Sequence, residues 1–195
     1  MKTFRLIREW DMIVELADKR DNQKRGYKST QNWNKTSTHL VGLCGEVAFS
    51  KMTGAPFDAR TLARGDDGYD FLIDGVTYSV KTTKYARDPH LKEFPKPKLW
   101  ADKYVLAIVD MGAKKATICG WCTGKELRES KLVDYGYGPQ HSLTMDDIHL
   151  FPARTPEQLA CDCWRNRSKW VYAGRRAACR TCRKFIGYAR HEKQR

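Results

Sequence analysis

The sequence lacks any apolar run of the roughly 18 residues that a membrane-spanning helix requires. Its first residues, MKTFRLIREWDMIVELADKR, are interrupted by charges every few positions and so lack the apolar core of a signal peptide. Internal repeats and low-complexity tracts are absent as well. We therefore expect a cytoplasmic protein without a membrane partner, whose seven cysteines are thiols or metal ligands rather than disulfides.

Acidic residues are scarce relative to basic ones, because 23 Asp and Glu stand against 36 Lys and Arg and leave a net charge of +13. Such an excess favours nucleic acid as a partner, since neutralised phosphates release counterions. From Thr155 to Arg195, eleven basic residues face three acidic ones, so this tail carries +8 of the total. We expect a domain at 1–155 and a basic module at 156–195, with the boundary in FPARTPEQ.

Hydrophobic periodicity in the first half of the chain predicts two helices, one over residues 3–18 and one over residues 38–54. A polar, basic segment between them is expected to be a loop. An Asp-Gly pair at 74–75 lies between two apolar runs, which predicts a β-hairpin with strands at 69–74 and 76–83.

The segment that follows the hairpin, residues 86–100, contains three prolines and is expected to be irregular. An unbroken apolar run from Tyr104 to Val109 predicts a strand that is buried on both faces. KATICGWCT predicts a further strand and GKELRES a short helix. Helices followed by strands and a final helix predict an α/β fold, a mixed sheet flanked by helices.

Polar residues on the predicted hairpin suit the hydrolysis of a phosphodiester. A tight turn at 74–75 places Asp70 opposite Ser79, with Lys81 two positions further along the same face. Mg²⁺ takes carboxylate and water ligands, and a nearby lysine stabilises developing negative charge. The same residues also allow a purely structural ion pair between Asp70 and Lys81.

This arrangement resembles the PD-(D/E)XK nuclease superfamily, which has an acid at the start of one strand, an acid-x-Lys on the next and a glutamate on a preceding helix. Asp70 matches the first acid, Lys81 the lysine, and Glu46 in HLVGLCGEVAFSK the helical glutamate. GEVAFSK, GDDGYDF, YSVKTT and ADKYVLAIVD are similar to the phage and prophage branch, and the resemblance covers approximately residues 35–150. It implies a restriction-endonuclease-like fold in a bacterial or phage-infected cell, with Mg²⁺ or Mn²⁺ held by Asp70 and Glu46.

Ser79 departs from the superfamily pattern, because the resemblance implies a metal-binding carboxylate at this position. A serine hydroxyl is a poor Mg²⁺ ligand and offers at most a direct or water-mediated contact. The missing charge would then come from Glu46 or Asp67. The competing interpretation is a catalytically inactive DNA-binding protein, an accessory or anti-defence factor on a degenerate nuclease fold.

The tail contains two cysteine pairs with the spacing of a metal site. Cys161 and Cys163 form a C-x-C, and Cys179 and Cys182 form a C-x-x-C after fifteen intervening residues. Four thiolates match a tetrahedral structural Zn²⁺, and a unit of about forty residues has too little core to fold without a metal. We expect a zinc-ribbon-like module, with free thiols as the competing interpretation.

Basic and aromatic residues alternate in this module, which suits contacts to phosphates and stacking on bases. The residues expected to bind DNA are Arg165, Arg167, Lys169, Arg175, Arg176, Arg180, Arg183 and Lys184. RNA stays open as a partner because such a surface does not discriminate, and a homodimer would be one route to double-strand cleavage. The sequence as a whole predicts a metal-dependent DNA endonuclease, with selectivity for branched DNA left open.

Overall fold

The computed structural model describes residues 1–23, 38–57, 68–97 and 99–151, and the backbone of three strands at 170–173, 176–179 and 185–188. The chain divides into two compact units. The first contains Met1–Met52 and Phe57–Phe151, and the second contains Thr53–Pro56 and Pro152–Arg195. The described part is a mixed α/β fold, as predicted.

The first unit contains helices on one sheet and a smaller sheet beside it. Its elements are β1 Lys2–Arg5, α1 Trp10–Gln23, α2 Thr38–Thr53, β2 Phe71–Ile73, β3 Val76–Thr83, β4 Leu91–Glu93, β5 Lys103–Asp110, β6 Lys115–Thr123, α3 Gly124–Glu129, β7 Leu132–Asp134 and β8 Pro139–Leu143. The larger sheet has five strands in the order β1-β6-β5-β3-β2, and the smaller has three in the order β4-β8-β7. β3 and β5 run parallel while their other neighbours are antiparallel, so the larger sheet is mixed.

The hairpin of β2 and β3 has the predicted turn and register. Asp74 and Gly75 both have positive φ, +51° and +81°, which is the conformation of a type I′ turn. Phe71 pairs with Tyr78 and Ile73 with Val76. This register, continued by one residue, brings Asp70 alongside Ser79 as the sequence predicted.

β5 forms the centre of the core, and the prediction of a strand buried on both faces is confirmed. Tyr104 and Leu106 face a cluster that includes Leu91 of β4 and Leu127 of α3. Alternate residues of β5 face the opposite side of the sheet. The larger sheet therefore separates a side covered by α2 from a side covered by β4 and α3.

Close packing of α2 against β3 determines which way the hairpin side chains point. Gly45 lies directly against Thr82, with its ideal Cβ position only 3.1 Å from the Thr82 Cβ. One turn further along α2, the Phe49 ring lies 5.4 Å from that of Tyr78. Because adjacent strand residues alternate, Ser79 and Lys81 face away from α2.

The prediction of a helix over residues 3–18 is wrong at its beginning. Residues Lys2–Arg5 form the edge strand β1, and the helix begins at Trp10 and continues to Gln23. Burial alternates along β1, and the Thr3 hydroxyl lies 2.8 Å from that of Thr117 on β6. The apolar residues at helical spacing are therefore divided between the strand β1 and the helix α1, because pairing with β6 overrides the local helical pattern.

The prediction that residues 86–100 are irregular misses β4. This strand pairs with β8, with Leu91 opposite Leu143 and Glu93 opposite His141. The three prolines flank β4 instead of interrupting it, since they occupy positions 89, 95 and 97. The strands β7 and β8 were not predicted either. Farther along, β6 and α3 occur at the predicted positions, and a capping box between Thr123 and Glu126 begins α3.

The second unit contains a three-stranded antiparallel sheet of β9 Trp170–Ala173, β10 Arg176–Cys179 and β11 Phe185–Tyr188, in the order β11-β10-β9. Two of the residues predicted to bind zinc or DNA belong to it, Arg176 and Cys179, which begin and end β10. The other predicted zinc and DNA residues lie outside the described ones: Cys161, Cys163, Cys182, Arg165, Arg167, Lys169, Arg175, Arg180, Arg183 and Lys184.

Within the described residues, the longest helices are too short or too polar to cross a lipid bilayer.

Candidate functional site

Lys81 of β3 forms an ion pair with Glu93 of β4, with 2.6 Å between Nζ and Oε2. The Glu93 side chain is 11% exposed and that of Lys81 is 33% exposed. The ammonium also lies 5.6 Å from the centre of the Tyr104 ring. A half-buried lysine therefore has a carboxylate and an aromatic ring around it on the side of the sheet that faces away from α2.

Glu93 is held in place by its own backbone surroundings. Its Oε1 atom accepts a hydrogen bond of 2.9 Å from the Phe94 N–H, which leaves Oε2 facing Lys81. Sequence reasoning did not find Glu93, because its segment contains prolines and was expected to be irregular. The only local indication is the alternation of buried Leu91 with charged neighbours, which is too short to identify a strand.

Asp70 lies where the pairing between β2 and β3 ends. Its Oδ2 atom accepts a hydrogen bond of 2.6 Å from the Val80 N–H, and its own N–H donates to the Tyr78 carbonyl at 2.8 Å. The carboxylate therefore takes the place of a strand carbonyl beyond the start of β2. It reaches the backbone next to Lys81, so the structure brings these two predicted residues to the same part of β3.

Ser79 is 6% exposed and lies beside Tyr104 in the parallel pairing of β3 with β5. It shares a face with Lys81 and is opposite Asp70 in the hairpin register. Asp70, Ser79, Lys81 and the unpredicted Glu93 consequently belong to one region on the side of the sheet away from α2.

Glu46 lies on the other side of this sheet. It belongs to α2, and its Oε2 atom is 3.8 Å from the Nη1 atom of Arg20 on α1. Because α2 packs against the face of β3 that carries Thr82, the structure does not bring Glu46 to the face of Lys81. Asp67, the other predicted source of a carboxylate, lies outside the described residues.

Tyr104 adds a neutral wall to this region. Burial raises the pKa of Tyr104 to about 12, opposed by a hydrogen bond from the Ala101 N–H and reinforced by the negative charge of Glu93. The phenol is therefore uncharged at neutral pH. Lys81 therefore has Glu93 as its anionic partner, and the neutral ring of Tyr104 supplies a cation–π contact.

A cavity of about 540 Å³ opens beside β3. Its polar lining consists of two lysines, a histidine, an aspartate, two threonines and two tyrosines: Lys81, Lys92, His90, Asp88, Thr82, Thr83, Tyr85 and Tyr135. His90 lies between Asp88 and Ser142. Its Nε2 atom is 3.0 Å from the Asp88 carboxylate, and its Nδ1 atom is 3.1 Å from the Ser142 hydroxyl. The Lys92 ammonium lies 3.1 Å from the centre of the Tyr135 ring.

Two carboxylates of this region lie near Lys81, those of Asp70 and Glu93. Among the described residues, no three His, Cys, Asp or Glu side chains lie close enough together to form a metal cage. Mg²⁺ does not need such a cage, since it keeps several waters and binds through one or two carboxylates and substrate phosphates. Asp70 contacts the Val80 N–H and Glu93 contacts Lys81, so each carboxylate lies beside β3 next to the lysine.

Comparison with known proteins identifies no relative: no family model matches the chain, and no curated protein or solved structure matches it.

Proposed function

We propose that the first unit is a divalent-metal-dependent DNA endonuclease whose active site lies beside Lys81. The observation that carries the proposal is the 2.6 Å contact between Lys81 and Glu93. The superfamily that the hairpin resembles requires a carboxylate beside its lysine, and Ser79 cannot supply one. Glu93 offers that carboxylate from a different strand, on the same face of the sheet.

Each residue of the proposed site has a defined task. Mg²⁺ or Mn²⁺, when bound, supplies Lewis-acid chemistry to the phosphodiester, and Asp70 and Glu93 would hold the ion. Lys81 would stabilise the negative charge that develops on the phosphate oxygens during attack by water. Ser79 would contribute at most a hydroxyl contact. Glu46, the helical glutamate that the resemblance implied, has no task in this proposed site, because α2 packs on the opposite side of the sheet.

DNA as the substrate is supported by charge. The chain has a net charge of +13, of which the segment from Thr155 to Arg195 contributes +8. We propose that this tail binds DNA and holds Zn²⁺ through Cys161, Cys163, Cys179 and Cys182, on the basis of their spacing.

A second function, DNA binding without cleavage, is favoured by how the carboxylates are already used. Asp70 accepts a hydrogen bond from Val80, and both oxygens of Glu93 have partners, Phe94 and Lys81. These contacts would stabilise the hairpin in a protein that has lost its chemistry. In that case the basic tail would provide the activity of the chain.

Cleavage of supercoiled, linear and four-way-junction DNA in Mg²⁺ or Mn²⁺ distinguishes the two functions. We compare the wild type with Asp70→Asn, which keeps an oxygen acceptor for Val80, and Lys81→Met, which keeps the length of the side chain. Lys115→Met is the matched control, because Lys115 is a half-exposed lysine paired with Asp110 at the far end of β5.

The nuclease proposal expects metal-dependent cleavage that falls by about a hundredfold or more in Asp70→Asn and Lys81→Met and is unchanged in Lys115→Met. Tight DNA binding by the wild type with cleavage of none of the three substrates would support the second function instead.

A further inference from the structure

We propose that the cavity beside β3 is a subsite for one unpaired nucleotide of a DNA single strand, so that the chain prefers overhangs, flaps or gaps to intact duplex. This inference rests on the proposed function, because it takes DNA as the substrate of the site at Lys81. It adds a binding site for the strand next to the bond that is cut.

The size of the cavity sets the first limit on what it holds. Its volume is about 540 Å³, within the range of pockets that enclose single small molecules. A duplex, whose grooves alone are roughly 6 to 12 Å wide, is far too broad to enter such a space. A single nucleotide, turned out of the helix or lying in an unpaired strand, has the appropriate size.

Two lysines of the lining suit contacts to a phosphate group. Lys81 and Lys92 both contribute to the cavity wall, as does the carboxylate of Asp88. Glu93 pairs with Lys81, so Lys92 is the lysine whose charge Glu93 does not offset. Asp88 lies beside His90, at 3.0 Å from Nε2. A phosphate that bridges the cavity mouth would meet the two ammonium groups, and Lys81 would then contact both this nucleotide and the adjoining phosphodiester.

Aromatic rings provide the second feature of a single-strand site. Tyr85 lines the cavity and is 67% exposed. An aromatic ring usually buries much of its apolar area, so this exposed ring is available for stacking. Tyr135 also lines the cavity, and the Lys92 ammonium lies over its ring. Stacking of bases on exposed rings beside cationic groups is how proteins bind single strands without reading their sequence.

The end of β3 beyond its pairing with β2 also belongs to the cavity wall. β2 pairs with β3 over Val76–Tyr78, and Asp70 then accepts from Val80. Among the described residues, β3 has no neighbouring strand on this edge beyond that point. Val80, Lys81, Thr82 and Thr83 all line the cavity, so this end of β3 borders the space where the strand would lie.

Binding measured without metal tests the subsite apart from catalysis. Fluorescence anisotropy in EDTA compares a labelled DNA single strand, the same sequence as a duplex, and its RNA counterpart. The test variant is Tyr85→Ala, which removes an exposed ring and leaves the core unchanged. Tyr137→Ala is the matched control, because Tyr137 is 54% exposed and is not part of the cavity lining.

We expect Tyr85→Ala to weaken single-strand binding by about tenfold and duplex binding by less than about twofold, with Tyr137→Ala unchanged. An equal effect on single strand and duplex, or none on either, would overturn the subsite. Tighter binding of RNA than of DNA would overturn its assignment to DNA. If only the nuclease proposal were wrong, the result would be different: the protein would still bind single strands selectively through Tyr85 but would cleave none of the substrates.

Discussion

The ammonium of Lys81 lies 2.6 Å from the carboxylate of Glu93, and this contact joins the five-stranded sheet to the three-stranded one. β3 contributes the lysine and β4 contributes the acid. An acid next to a lysine thus arises from the folding of two sheets against each other, and not from neighbouring positions on a single strand. This relationship is the basis of the proposed active site.

Removal of the Asp70 carboxylate is expected to weaken the hairpin. Asp70→Ala leaves the Val80 N–H without its acceptor and should lower the free energy of unfolding by about 1–3 kcal/mol. Asp70→Asn keeps an oxygen in place and should cost less. Urea denaturation followed by tryptophan fluorescence measures both. Equal stability of Asp70→Ala and the wild type would contradict a structural use of this carboxylate.

The substitution Gly45→Ala is expected to push α2 away from β3 and destabilise the protein. The added Cβ would collide with Thr82, whose Cβ and Cγ2 atoms are both 3.1 Å from its ideal position. Overpacking of this kind costs about 1–3 kcal/mol, which outweighs the better helix propensity of alanine. Gly42→Ala is the control, because the nearest contact of its Cβ is Glu46 Oε1 at 3.8 Å.

Gly42→Ala should instead stabilise the protein by about 0.5–1 kcal/mol. Thermal denaturation of Gly45→Ala and Gly42→Ala, each compared with the wild type, tests both expectations. Destabilisation of both variants to the same extent would show that the contact with Thr82 is not the cause.

Acid is expected to weaken the start of α3. The hydrogen bond from the Thr123 backbone, followed by the contact with His149, lowers the pKa of Glu126 from 4.5 to about 2. Because the pKa of Glu126 is lower in the folded chain than in the unfolded chain, the ionised carboxylate stabilises the fold. This stabilisation is complete when the pH is above the unfolded pKa of 4.5, and it disappears as the pH falls from about 4.5 towards 2.

Glu126→Gln should therefore lower the thermal midpoint at pH 6 and have a smaller effect near pH 2, where the carboxyl is protonated in the unfolded chain and about half protonated in the folded one. Because the side chain is 43% exposed, solvent screens part of the interaction. A difference between variant and wild type that stays constant from pH 6 to pH 2 would contradict the assignment.

Zinc is expected in the purified chain at about one ion per molecule. Cys161→Ser should lower the zinc content and weaken DNA binding, because it removes one of the four thiolates of the proposed zinc site. Cys119→Ala, which changes a buried thiol of the first unit, should keep the zinc. Metal analysis of the three proteins decides the matter, and a metal-free wild type whose tail cysteines all react with a thiol reagent would contradict it.

Local chemistry was sufficient to predict the hairpin and the central strand β5. The Asp-Gly turn determines the register that puts Asp70 beside Ser79, and the apolar run of β5 identifies the central strand. Both signals act within a few residues, so no distant contact is needed to interpret them.

Long-range pairing explains what sequence reasoning did not find. β1 and β4 are short strands whose partners, β6 and β8, are far away in the sequence, and neither has a pattern long enough to identify it. Glu93 was missed for that reason, since its position beside Lys81 depends on β4. Glu46 was assigned from the motif alone, which does not indicate the side of the sheet on which its helix packs.

The rate of metal-dependent cleavage by Glu93→Gln, measured beside Glu129→Gln, tests the central claim most directly. Glutamine keeps the size of the side chain and an acceptor for Phe94 but removes the charge beside Lys81. Glu129 is an exposed acid on α3 paired with Lys125 and serves as the matched control. The account predicts a loss of about a hundredfold for Glu93→Gln and no loss for Glu129→Gln, and equal rates for both variants and the wild type would contradict it.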